Sequence, residues 1–193
     1  VGEVKSIFPL VYFLLKKKHN ILITTGTILS AEIVKKEFKK KIIHQYSPLD
    51  FPNIVNKFLK HWKPDIAIWV ESEIWPNLIL QTRSYGVPTS LIQGTISEKS
   101  QKRWNLIKKT SKIILSGFDP IIVQSEKDAL AFKSLGVNKI DAIYNFKYDA
   151  PIPKIEEKKY NEILEKTIDR IIIIANMGWD SFLQEHRNGP NFF

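Results

Sequence analysis

The chain has 193 residues, 44% hydrophobic and 25% charged, enough for one substantial soluble domain plus part of another. It has no cysteine, which excludes disulfides and thiolate metal sites, and its four histidines show no ligand spacing. A net charge of +9 leaves three kinds of partner open: nucleic acid, an anionic membrane surface or a phosphorylated substrate.

In chain order, Glu3 to Lys18 is helical in pattern, with Val4, Ile7, Phe8, Val11, Leu14 and Leu15 on one face and a kink predicted at Pro9. Ile21 to Thr25 is a short apolar strand, and Ser30 is expected to cap a helix running to about Lys40. Lys41 to His44 is the next strand; Pro48 and Pro52 then turn the chain into a helix over Asn53 to Lys60. Asp65 to Val70 is a buried strand followed by a helix from Ile74 to Tyr85. Gly86 and Pro88 lead into the strand Thr89 to Ile92, and a helical segment runs from Ser97 to about Ser111. Ile121 to Val123 is a strand, Glu126 to Leu135 a helix closed by Gly136, and Ile140 to Ile143 a strand.

Apolar runs alternating with amphipathic helices imply α/β architecture, a Rossmann-like parallel sheet covered on both faces. This domain is expected over residues 1–149, followed by a linker and charged helix over 150–169. Residues 170–193 read as an aberrant remnant of a second domain, because the strand Arg170 to Ile174 is followed by no strand–helix rhythm. No stretch reaches the ~18 apolar residues of a spanning helix; the run Ile7 to Leu15 is short and holds Pro9. The opening Val1-Gly2-Glu3 has neither initiator methionine nor leader, so the natural N-terminus is expected to lie upstream, together with a first, central strand of the sheet.

The segment Val70-Glu71-Ser72-Glu73-Ile74-Trp75-Pro76-Asn77 carries the densest chemical information. A buried strand stops at two carboxylates, and Trp-Pro opens a helix. Ligands of open α/β sheets bind at the carboxyl ends of the strands, so Glu71 and Glu73 are candidates for chemistry. Glu3, in the turn before the first helix, occupies an equivalent corner. One of Glu71 and Glu73 is expected to cap the helix that follows, with Glu73 favoured as the functional one. The alternative for Glu3 is a plain helix-start acid, and Trp69 and Trp75 read as packing residues.

Val1-Gly2-Glu3, Glu71-Ser72-Glu73-Ile74-Trp75-Pro76-Asn77, Ile96-Ser97-Glu98-Lys99-Ser100, Gln124-Ser125-Glu126 and Asn145-Phe146-Lys147-Tyr148-Asp149 resemble, in order and spacing, the 3-deoxy-D-manno-octulosonic acid (Kdo) transferases of lipopolysaccharide synthesis. The resemblance covers residues 1–150. It implies the N-terminal, acceptor-binding domain of a GT-B glycosyltransferase, with the first strand and most of the second domain missing. It further implies transfer of Kdo from CMP-Kdo to a lipid A precursor at the cytoplasmic face of the inner membrane, with an anionic membrane surface as partner. No cofactor, metal or nucleic acid is implied. The family's general base falls on Glu3, with Glu71 and Glu73 as further catalytic candidates and Gly2, Thr24, Thr25, Ser97 and Lys147 as substrate-binding ones. A sugar hydroxyl attacking an anomeric carbon needs a positioned base, which a carboxylate can supply.

The sequence departs from that pattern at Thr95, where an arginine is common, at Tyr144, where a glycine usually stands, and after Ile174. Kdo transfer is therefore not expected from this chain alone. The competing reading is a non-catalytic remnant or binding module with a basic, membrane-facing surface. Lys16 to Lys18 and Lys39 to Lys41 would supply its charge, and Ile7, Phe8, Val11 and Tyr12 its apolar contact, unless that helix face is buried core. Nucleic acid is disfavoured because the lysines are not interleaved with aromatics.

Overall fold

A computed structural model describes residues 2–146, all within one compact unit. The segments 150–169 and 170–193 and residue Lys147 lie outside the described residues. The pattern of the first helix resolves into α1 (Gly2–Ser6) and α2 (Phe8–Lys16), because Pro9 occupies the first turn of α2. There its missing N–H costs nothing, so the expected kink becomes a break at Ile7. β1 (Leu22–Thr25), α3 (Ile28–Phe38) and β2 (Ile43–Tyr46) follow. Thr27, not Ser30, caps α3: its hydroxyl accepts the Ser30 N–H at 3.3 Å. The remaining elements are α4 (Pro52–Trp62), β3 (Ala67–Val70), α5 (Pro76–Ser84), β4 (Thr89–Gly94), α6 (Glu98–Leu106), α7 (Lys108–Leu115), β5 (Ile121–Val123), α8 (Glu126–Ser134) and β6 (Ala142–Ile143). The single helix expected after Ser97 is thus two, parted at Ile107, whose backbone (φ −118°, ψ 43°) leaves the helical region.

Among the described residues all the strand pairs are parallel, as the alternating pattern implies, but the strands form two sheets rather than one. β1 pairs with β2, and β3-β4-β5-β6 form a four-stranded sheet. Among the described residues, the edges of β1 and β3 that face away from these partners carry no strand. Parallel pairing needs a neighbour in register, and the expected central strand is not among the residues described.

Each sheet has its own core. Around β1, Val11, Ile23, Val34 and Phe38 are buried, with Val4, Ile7 and Phe8 packed on them. The Phe8 and Phe38 rings meet edge to face at 4.9 Å. Ile7, Phe8 and Val11 are therefore core, and of the four residues offered to a membrane only Tyr12 is exposed, its hydroxyl bonded to Glu37. Under the larger sheet, Leu91, Ile121 and Val123 pack against Ile79, Ile114, Leu115, Phe132 and Leu135. β4 is buried along its whole length, as a central strand must be.

Candidate functional site

The carboxyl edges of the two sheets meet at α5. Asp50, four residues beyond β2, places one carboxylate oxygen 3.1 Å from the Asn77 N–H and the other 2.8 Å from that of Leu78. The Asn77 side chain returns a hydrogen bond to the Asp50 carbonyl at 2.7 Å. Asp50 is thus the cap of α5, and neither Glu71 nor Glu73 fills that role. Pro76 sits in the first turn and Trp75 makes no cap bond, so the orphan N–H groups are met from 27 residues away in sequence.

Freed from capping, the two acids differ sharply. Glu73 is exposed, and its Oε2 accepts the Trp75 indole N–H at 2.7 Å, which gives Trp75 a partner at the surface. Glu71 is only 7% exposed and ends β3 in the left-handed region at φ 58°, its N–H still bonded to the Ile92 carbonyl at 3.0 Å. A non-glycine residue there costs on the order of 1 kcal/mol and persists only where its surroundings hold it, a condition concentrated at functional sites. Glu71 is thus the buried, conformationally constrained acid of the pair, and Glu73 the exposed one.

The neighbouring strand repeats this feature. Gln93, fully buried, is also left-handed (φ 55°), and the β4–β5 register slips between Leu91 and Gly94. The bulge lets Gln93 depart from the pleat, and Gly94 fits beneath because a Cβ would come within 3.2 Å of Val123. Gln124 holds the bulge by donating to the Gln93 carbonyl at 3.1 Å. Adjacent strands thus each carry a left-handed polar residue near the carboxyl end, Glu71 just after β3 and Gln93 next to last in β4. Pattern reading registers no bulge, and Gln93 was missed for that reason.

Gly2 and Glu3 begin α1; the backbone is described there and their side chains are not. With only five residues, α1 offers little macrodipole to a carboxylate at its start. Thr24 is exposed at the end of β1, whereas Thr25 is buried, its hydroxyl 2.9 Å from His44 Nε2 on β2. Burial, with Lys35 nearby, lowers the His44 pKa from its ordinary value. On the same face of β2, two residues on, the Tyr46 ring meets that of His44 at 5.5 Å.

Ser97 caps α6: its oxygen accepts the Ser100 N–H at 3.3 Å and its hydroxyl donates to that of Ser100 at 3.1 Å, so its bonds here are structural. Thr95, the departure from the family pattern, donates to Asp128 at 2.8 Å. Asp128 also takes the Ile96 N–H and the Ser125 hydroxyl, binding the loop after β4 to the start of α8. The Ser125-x-x-Asp128 spacing of a capping box was the clue to this buried carboxylate. Among the described residues no group of three His, Asp or Glu side chains could hold a metal ion.

Glu71, Glu73 and Gln93 thus lie at the carboxyl side of β3 and β4, and Thr24 and Thr25 at that of β1 in the other sheet. Comparison with known proteins narrows the choice. A family model described as 3-deoxy-D-manno-octulosonic-acid transferase (kdotransferase) matches residues 1–150. A 3-deoxy-D-manno-octulosonic acid transferase of Rickettsia prowazekii is 33% identical over 90% of this chain and 38% of its own length. The protein of that name in Haemophilus influenzae is 32% identical over 77% of the chain and 36% of its own length. A probable mitochondrial one of Arabidopsis thaliana is 34% identical over 70% and 31%. The chain thus spans well under half the length of these relatives.

Proposed function

Because the chain belongs to the 3-deoxy-D-manno-octulosonic-acid transferase family, we propose that it is the acceptor-binding portion of an enzyme that moves Kdo from CMP-Kdo to a lipid A precursor in lipopolysaccharide synthesis. The corner after β3 supports this reading: Glu71, Glu73 and the start of α5 lie at the carboxyl end of a parallel strand, where α/β proteins bind their ligands. In this reading a carboxylate, Glu3 or Glu71, accepts the proton of the attacking acceptor hydroxyl, and neighbouring polar groups align it. The rigid Asp50 clasp keeps the loop from Glu71 to Trp75 in place, so orientation contributes much of the rate.

CMP-Kdo is recognised, on this proposal, by a part of the enzyme other than residues 2–146, which bind the acceptor. The enzyme works at the cytoplasmic face of an inner membrane, drawn by its excess of lysine. Titration of the purified chain with a detergent-dispersed lipid A precursor tests the reading. Saturable binding, weakened at least several-fold by Glu71→Gln, is expected. Binding that does not distinguish the precursor from a plain phospholipid would sink it.

A further inference from the structure

The α6–α7 corner has a composition that nothing in the proposed site uses. Leu106, the last residue of α6, is 85% exposed, and Ile107 and Ile113 are 51% and 63% exposed. Around them Lys99, Lys102, Arg103, Lys108, Lys109 and Lys112 are all exposed, and no acidic residue occurs between Lys99 and Phe118. The helix packed beside α7, α5, carries no acid either.

The corner is built, not frayed. Ser111 donates to the Trp104 carbonyl at 2.6 Å and lies 3.2 Å from that of Ile107, which fixes the turn between the helices. Trp104 packs against the core of the larger sheet, anchoring α6 from beneath. Beside the turn, Ser100, Arg103, Trp104 and Ile107 line a shallow depression of ≈ 320 Å³. Among the described residues this aliphatic tip has no covering neighbour, and the ring of cations selects for a negative surface.

We infer that the α6–α7 corner docks onto an anionic lipid bilayer, with Leu106 and Ile107 entering the acyl boundary and the surrounding lysines and Arg103 meeting the phosphates. Hydrocarbon gives Leu106 a solvent that a nucleic acid backbone lacks, and each cation near an anionic leaflet adds roughly 1 kcal/mol of attraction. The corner replaces α2 as the membrane contact, since the apolar face of α2 is core. The inference rests on the lipid-acceptor reading and adds to it an orientation: α6 starts at Ser97 and ends roughly 13 Å away at the corner, by the rise of a helix.

The absence of cysteine allows a single-site test. Leu106→Cys, Ile28→Cys and Leu130→Cys, all at exposed positions, each take one nitrobenzoxadiazole label. With phosphatidylglycerol vesicles the label at 106 should shift to the blue and brighten several-fold, while those at 28 and 130 stay unchanged; phosphatidylcholine vesicles should move none. Leu106→Asn should weaken sedimentation with phosphatidylglycerol vesicles roughly tenfold, and Lys108→Glu with Lys109→Glu should remove the preference for anionic lipid. A shift confined to 28 or 130, no shift at 106, or an equal shift at 106 with duplex DNA overturns the inference. Unchanged precursor binding by Leu106→Asn, together with its vesicle defect, supports the inference and separates it from the acceptor site. Loss of precursor binding with intact vesicle insertion sinks the acceptor reading alone.

Discussion

The Asp50 carboxylate clasps the Asn77 and Leu78 N–H groups, joining the loop after β2 to the helix after β3 across 27 residues. Between these elements the described strands share no ladder, so this cap and the packing of α4 on α5 link the two sheets at their carboxyl edges.

Asp50→Ala should cost about 1 to 2 kcal/mol, the upper range for a helix cap, because it strands two N–H groups at once. Urea denaturation would measure it. Asp50→Asn should recover part of the loss, since its amide oxygen still accepts one bond. If Asp50→Ala leaves the midpoint unchanged, the clasp contributes nothing to cohesion.

Glu71→Gly should raise stability by up to ~1 kcal/mol, since glycine adopts φ 58° freely. It should at the same time weaken binding of the lipid A precursor. A midpoint that falls would mean that contacts of the buried carboxylate outweigh the backbone strain.

Acid should weaken the fold partly through His44. Its folded pKa lies below the ordinary 6.5, so the unfolded chain binds the proton first. This contribution is fully present above the ordinary value and is lost as pH falls from there through the folded pKa. His44→Gln should flatten the stability-against-pH curve in that window relative to the parent chain. Equal slopes for the two proteins would show that His44 titrates alike folded and unfolded.

Gly117→Ala should destabilise by about 2 kcal/mol, in the range for overpacking. A Cβ at this position would lie 2.3 Å from the Arg83 guanidinium. That group bonds the Thr89 hydroxyl at 3.0 Å and stacks 4.7 Å from the Phe118 ring, so it has little room to withdraw. Thermal melts of Gly117→Ala and Gly117→Ala/Arg83→Ala would show whether removing the guanidinium relieves the clash, as expected.

The parallel α/β class, the position of each strand among the described residues to within two or three residues and the acid-bearing corner after β3 were all legible in the sequence. These depend on local periodicity and on glycine and proline, which act within a few residues. Tertiary structure decided what hinges on distant partners. Asp50 was silent because its cap spans 27 residues, and its arrival overturned the capping role expected of Glu71 or Glu73. Burial on the β1 core turned the apolar face of α2 from a possible membrane contact into packing. The left-handed ends of β3 and β4 follow from strand register and a bulge, which no side-chain pattern encodes. A helix or strand is specified by its neighbours in sequence, whereas the role of a carboxylate depends on which donors the fold brings to it.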